Sequence, residues 1–368
     1  MDFGFSEDQD AIRDAAGRLL DENATLAGAH LLLNDNPDGF DGDLWSKLAE
    51  GGWLGIGIPE EHGGSGMGAV ELAVLAEEIG RTLACIPFAQ AMYLVAPAVV
   101  QHGSDAQKTA LLPAIASGKK IVTAALSENG GIAPDVITAK VSGGRIQGVK
   151  SPVPDGGNAD VALVAALDDT GQPGLYLVDL TGPGVKREPL DATDRTRPMA
   201  RLTFDGAPAD PLTGANGAAI KKLVDGAAVL VAFEQIGLAG RALAVSSDYA
   251  KERKAFGRPI GGFQAIKHRL ADMFAKIELA RSNAFFGAWA LASDDERLAE
   301  AAACARLTAL DACQYAGEET IQIHGGIGIT WVANPHLFVR RGWHLKALLG
   351  PAAIWRERLI QALPEGNS

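Results

Sequence analysis

Apolar residues recur at helical spacing over positions 6–20, through Ile12, Ala15, Ala16, Leu19 and Leu20, and Ser6 with acids just after it suits a helix N-cap. The pattern predicts a short helix over 44–52, a Gly-rich turn over 53–66, and Ala/Leu/Val-rich helices over 69–80, 91–100 and 105–115. After Ser117-Gly118 the texture changes. Short β-type runs at 121–126, 137–141, 145–149, 161–166, 174–180 and 200–204 alternate with Gly, Pro, Asp and Asn, which predicts a small β-barrel or sandwich. A linker over 211–217 leads into four long helical segments, 218–253, 264–292, 294–324 and 335–363, read as a four-helix bundle. The fold class is therefore α+β in three domains: an N-terminal helical domain over 1–117, a central β domain over 118–212 and a C-terminal bundle over 213–368.

The chain's 368 residues can bury a large core, and a net charge of -12 argues against nucleic acid or an anionic membrane as the main partner. The three cysteines, Cys85, Cys304 and Cys313, have no metal or redox spacing, and are expected as reduced, mostly buried thiols. Residues 1–5 carry no basic region followed by an apolar run, and no stretch approaches an uninterrupted membrane span. A cytoplasmic location is expected. The histidines, His62, His268, His324, His336 and His344 among them, show no metal spacing, and no metal site is expected. Trp331, Trp343 and Trp355 recur at twelve-residue intervals and are read as bundle packing, and His324 as orienting the glycines after it.

One connector is unlike an ordinary helix-to-helix loop: Arg253-Lys254-Ala255-Phe256-Gly257-Arg258-Pro259-Ile260-Gly261-Gly262-Phe263-Gln264. Its guanidinium can fork onto phosphate oxygens, its Gly and Pro residues let the backbone turn closely, and its amide can meet a base or ribose edge. A plain surface loop with an exposed salt bridge is the alternative. The turn over 53–66 lacks the P-loop lysine and the strand-to-helix context of a phosphate cradle.

Taken in order, the motifs resemble the acyl-CoA dehydrogenase family over essentially the whole chain. They are Trp53-Leu54-Gly55 with Pro59-Glu60, Glu77-Glu78-Ile79-Gly80-Arg81, Leu112-Pro113 with Ser117-Gly118, the Arg253–Gln264 connector, and Gln322-Ile323-His324-Gly325-Gly326-Ile327-Gly328. The resemblance implies FAD at a subunit interface, an acyl-CoA thioester substrate desaturated between its α and β carbons, and an electron-transfer flavoprotein as acceptor. By similarity, Arg253, Phe256, Ile260 and Gln264 would reach a neighbouring subunit's FAD, with Gln322, Gly325 and Gly326 near its pyrophosphate.

The flavin end departs from the family pattern. Where members carry Thr-Glu-Pro and Ala-Gly-Ser-Asp, this chain has Ser127-Glu128-Asn129-Gly130-Gly131-Ile132-Ala133-Pro134-Asp135. Where they carry Trp-Ile-Thr it has Pro152-Val153-Pro154, which offers neither an indole nor a donor. The two usual positions of the catalytic glutamate hold Leu349 and Ala227, and neither takes a proton. Asp225 and Glu234 are the substitutes within reach along the same helix, with solvated or intersubunit pairing as their alternative role. This asymmetry resembles the base-lacking subunit of the unlike-subunit dehydrogenases of actinobacterial steroid catabolism. It implies a heterotetramer with a homologous catalytic subunit and a bulky, steroid-derived thioester. Two other readings stay open at this point: a self-sufficient homotetrameric dehydrogenase with a relocated base, and a non-enzymatic scaffold.

Overall fold

The computed structural model describes residues 6–35 and 39–363, so the leader reading of residues 1–5 lies outside the described residues. The chain opens with α1 (Glu7–Asn23), α2 (Leu26–Asn34), α3 (Gly42–Glu50) and α4 (Ala69–Thr82). Ser6 starts α1 as the pattern predicts: its hydroxyl accepts from the Gln9 N–H at 3.3 Å, and the Gln9 side chain accepts from the Ser6 N–H at 3.0 Å. The helix predicted over 91–100 is a buried π-helical turn (Gln90–Val95) running into α5 (Ala96–His102), followed by α6 (Asp105–Ala116). The turn over 53–66 closes on itself. A Cβ on Gly64 would sit 2.0 Å from the Ile58 carbonyl oxygen, so its glycines serve backbone packing.

The expected β module is realised as an eight-stranded mixed sheet, ordered β10-β7-β6-β4-β5-β9-β8, with β1 also paired to β6. Its strands are β1 (Val122–Ala125), β4 (Lys140–Ser142), β5 (Arg145–Pro154), β6 (Val161–Leu167), β7 (Pro173–Asp179), β8 (Val185–Leu190), β9 (Met199–Pro208) and β10 (Asp210–Pro211). A small ribbon of β2 (Ser127–Glu128) and β3 (Gly131–Ile132) stands beside it. The interior of β6, from Ala162 to Ala166, is buried throughout, as a continuous apolar run demands. Strand β8 was not predicted: Lys186, Arg187, Glu188 and Pro189 leave it without apolar alternation, and pairing to β9 alone makes it a strand. The ladder between β5 and β9 skips from Lys150 to Val153 across Ser151-Pro152, where proline supplies no N–H.

Helices α7 (Gly217–Glu252), α8 (Gln264–Ala292) and α9 (Leu298–His324) form the bundle, and α9 begins four residues later than predicted. The last predicted helix, 335–363, is two: α10 (Pro335–Leu348) and α11 (Ala352–Ala362). Between them Gly350 sits at φ +79° and Pro351 has no N–H, so a continuous helix is impossible. One expectation is overturned for α7, which is long and apolar enough to cross a membrane, with a mean hydropathy of 1.6 over an 18-residue window. That window is 72% buried inside the protein, because α7 is the bundle's core helix. Glycines let α4 cross it in backbone contact. A Cβ on Gly80 would lie 1.9 Å from the Glu234 carbonyl oxygen, and one on Gly237 would lie 1.9 Å from that of Glu77.

Candidate functional site

The two nucleotide-grip motifs end neighbouring helices. Arg253 follows α7, and Gly325-Gly326 follow α9. The helices are tied at these ends by the Ser246–Thr320 hydroxyl pair at 3.0 Å and by stacking of Tyr249 on His324, ring centroids 4.1 Å apart. His324 also places Nδ1 2.7 Å from the Thr320 carbonyl of its own helix. Gly325 adopts φ 65°, ψ -145°, a region open essentially to glycine alone, and the added Cβ that would exclude other residues meets only open space.

The Arg253–Gln264 connector is a tight hairpin, β11 (Lys254–Ala255) against β12 (Arg258–Pro259). Its two turn residues, Phe256 at φ 51° and Gly257 at φ 79°, have the double positive φ of a type I′ turn. Phenylalanine is a poor residue for that conformation, and Phe256 is 95% exposed at the tip. Arg253, Gln264 and Gln322 are exposed, and none has a side-chain hydrogen bond or ion pair among the described residues. Ile260 is half-buried behind them. Arg253, Phe256, Gln264, Gln322, Gly325 and Gly326 thus face outward, with Ile260 packed against the core behind them.

The positions that the resemblance assigns to the flavin end are buried. Ile132, Ala227, Leu349 and Trp355 are buried together with Asp225 and Arg358. Arg358 Nη1 donates to Asp225 at 2.9 Å, its guanidinium lies 4.9 Å from the Trp355 ring centroid, and Asp135 stands 3.7 Å away. The Trp355 indole donates to the Leu349 carbonyl at 2.9 Å. Glu128, the acid that survives in the first β loop, is engaged by the buried Lys150 ammonium and the Thr138 hydroxyl, and accepts from the Ala139 N–H at 3.2 Å. Burial works to raise the Glu128 carboxyl, but the Lys150 and Thr138 hydrogen bonds outweigh it and hold it below the usual range. The side chains at these sequence positions are apolar or already paired within the chain, a poor match to a flavin ring's need for donors.

The substitute bases are corrected as well, because neither is solvated or directed to another subunit. Asp225 is buried against Arg358, and burial pushes its carboxyl up to about 6 while Arg358 opposes it. Glu234 is fully buried, 3.0 Å from Arg197 Nη1. Arg197 and Asp194 come from the loop before β9, Asp155 from the end of β5, and Tyr93 from the π-helical turn, with Arg341 and His344 added by α10. Arg341 Nε donates to Asp194 at 2.7 Å and Nη1 to the Ala84 carbonyl at 3.0 Å, locking the loop to the N-terminal helices. Burial pushes Asp155 up to about 6 against the pull of Arg197 and Arg341, and pushes His344 well below its ordinary value, with Arg197 adding to the effect. This junction was not legible in the sequence, because its members are separated by long stretches of chain and no motif marks the pairing. Of Trp331, Trp343 and Trp355, only Trp355 is buried; Trp331 and Trp343 are about half-exposed, which corrects their assignment to bundle packing. The cysteines are free as expected, with Cys304 half-buried, and among the described residues no cluster could hold a metal ion.

Residues 6–119 match the acyl-CoA dehydrogenase N-terminal domain and residues 217–366 the acyl-CoA dehydrogenase C-terminal domain. The chain is 33% identical to the acyl-CoA dehydrogenase FadE34 of Mycobacterium tuberculosis over 98% of its own length and 48% of that protein's, so it spans about half of that relative. It is 32% identical to the acyl-CoA dehydrogenase IpdE2 of the same organism over 91% of each chain. Among solved structures, a variant of the Tcur3481-Tcur3483 steroid ACAD superposes with a TM-score of 0.88 at 34% identity, covering 97% of each chain. With both terminal domains matched and a relative of this identity covered almost end to end, the chain belongs to the acyl-CoA dehydrogenase family of FAD-dependent oxidoreductases.

Proposed function

We propose that this chain is the base-lacking subunit of a heteromeric acyl-CoA dehydrogenase, completing the FAD site of a related, base-bearing subunit that desaturates a bulky, steroid-derived CoA thioester. One observation carries the reading. Arg253, Phe256, Gln264 and Gln322 are turned outward, while Leu349 and Ala227 are sealed behind Trp355 and the Arg358–Asp225 pair. The likeness to a steroid dehydrogenase structure named for two components supports the unlike-subunit assembly and the substrate class. On this reading the assembly is a heterotetramer in the cytoplasm, with an electron-transfer flavoprotein as acceptor. The chain contributes cationic and amide contacts to the nucleotide of the FAD and no proton transfer of its own.

The test is co-expression with a homologous subunit that carries the family's glutamate. The expected complex holds one FAD for every two chains, and Arg253→Ala lowers its flavin content. A full FAD complement with dehydrogenase activity from this chain alone would overturn the reading. The alternative of a relocated base predicts that Asp225→Asn or Glu234→Gln abolishes turnover in a stably folded protein. Their burial in ion pairs within the chain weighs against it.

A further inference from the structure

Trp331 is the centre of a ring cluster that joins separate segments of the chain. The loop after the glycine turn carries it, α2 supplies His30 and Asn34, and α10 supplies His336 and Arg340. The Trp331 indole donates to the Asn34 amide oxygen at 3.0 Å. The His336 ring stacks on Trp331 with centroids 5.2 Å apart and planes at 11°, and His30 meets both rings edge-on. The Arg340 guanidinium lies 5.3 Å from the Trp331 centroid. Arg340 also donates from Nη1 to the Thr193 carbonyl at 2.7 Å and from Nε to His336 Nδ1 at 3.3 Å. Ile329 and Val332, on either side of Trp331, are exposed, which leaves Trp331 as the anchor of this stretch.

The arrangement needs a neutral His336. A guanidinium donates and never accepts, so Nδ1 offers its lone pair and the ring's one proton sits on Nε2, which is buried without a hydrogen-bond partner. A second proton would go to Nδ1, ending the Arg340 bond and setting imidazolium against guanidinium. Burial holds His336 below the ordinary histidine value; the Trp331 backbone pulls the other way, and Arg340 and His30 add to the depression. Arg340 and His30 are thus the charged or titratable groups that face it from α10 and α2. Residues 325–334 contain no titratable side chain. In the loop before β9, which meets the cluster through the Thr193 carbonyl, Asp194 is paired with Arg341 and Asp191 with Arg195. We propose that the Trp331 cluster is an acid-released latch: a proton on His336 Nδ1 breaks its bond to Arg340 and frees the 327–334 loop from α2 and α10. A histidine depressed in the folded state stabilises the latched form fully above its unfolded value of about 6.5, and loses that contribution as pH falls from there. The latch rests on the ring cluster alone and stands whether or not the chain completes a partner's FAD site.

Hydrogen exchange of the full chain, read by mass spectrometry and corrected for the intrinsic pH dependence of exchange, tests the latch. The Thr330 and Ala333 amides, each bonded within the loop, report its opening, and the buried strand β6 is the reference for global unfolding. Between pH 7.5 and pH 5.5 opening of the loop should rise severalfold, to about tenfold at most, as one titrating group allows, while β6 stays unchanged. His336→Asn keeps an acceptor for Arg340 Nε and takes no proton, so its profile should be flat. If that variant fails to fold, Arg340→Met removes both the bond and the opposing cation: opening at pH 7.5 should rise, and its further increase towards pH 5.5 should shrink. A wild-type loop profile as flat as that of β6, or an undiminished rise in the folded variant, overturns the latch.

Discussion

At the scale of single residues, Glu234 shows why a carboxylate along the right helix is not a base. It is fully buried and paired with Arg197, and removing either partner strands the other's charge in the interior. Glu234→Ala should therefore lower unfolding free energy by about 3–5 kcal/mol in denaturant melts. Replacing both partners, Glu234→Leu with Arg197→Met, should recover most of that loss, which a catalytic role alone would not predict. Asp155 makes a pH-dependent prediction. Its folded value of about 6 lies above the unfolded one, so its stability contribution is complete below about pH 3.8 and is lost as pH rises through 6. The wild type's stability relative to Asp155→Asn should therefore fall, by on the order of 2–3 kcal/mol, between pH 4 and pH 7.5. Thermal midpoints of the pair across that range check it, and parallel curves would contradict it. Taking the difference against the variant removes the opposing contribution of His344, whose depressed value adds stability as pH rises.

At the scale of elements, the hairpin after α7 and the turn after α9 present exposed residues at neighbouring helix ends. Phe256 occupies a left-handed position at the hairpin tip, where asparagine is more comfortable. Phe256→Asn should leave the isolated chain's stability within about 1 kcal/mol of wild type, yet reduce flavin retained by the co-purified complex. An unchanged flavin content would remove Phe256 from the interface. Gly325→Ala places a side chain at φ 65°, ψ -145° and should cost about 1–3 kcal/mol locally. The same change at Gly326, where a Cβ meets open space and φ is not positive, should cost far less. The break between α10 and α11 belongs to this scale too. It turns Trp355 back onto Leu349, whose carbonyl accepts from the indole, with Arg358 over the Trp355 ring.

At the scale of the whole molecule, restoring the missing base should not restore a catalyst. Leu349→Glu would bury a carboxylate beside Ile132 and Trp355 with no proton acceptor role to play. The expected outcome is destabilisation by several kcal/mol and no dehydrogenase activity from the chain alone, measured by denaturation and by dye reduction. Turnover by that variant alone would show that the buried end can open. Much of the architecture behind this was legible in the sequence. The period of the apolar positions marked α1, α4, α7, α8 and α9, and the Gly/Pro-punctuated runs marked most of the sheet. Strand β8 was hidden because its pairing to β9, and not its own pattern, makes it a strand. The split of 335–363 was hidden because only two residues, Gly350 and Pro351, interrupt an otherwise continuous helical pattern.

The sequence by itself determined the order of helices, sheet and bundle, and where the Arg253–Gln264 and Gln322–Gly328 motifs and the non-acidic Leu349 and Ala227 fall along the chain. Each of these is local, written in residue type and spacing along one stretch of chain. Only the tertiary structure decided what replaced the lost site. The partners of Arg358, Arg197, Asp194 and Asp155 lie on distant segments, and an ion pair between them exists only once the helices and sheet have packed. The same packing decided that Asp225 and Glu234 serve as buried counterions, and that the long apolar α7 runs through a protein core.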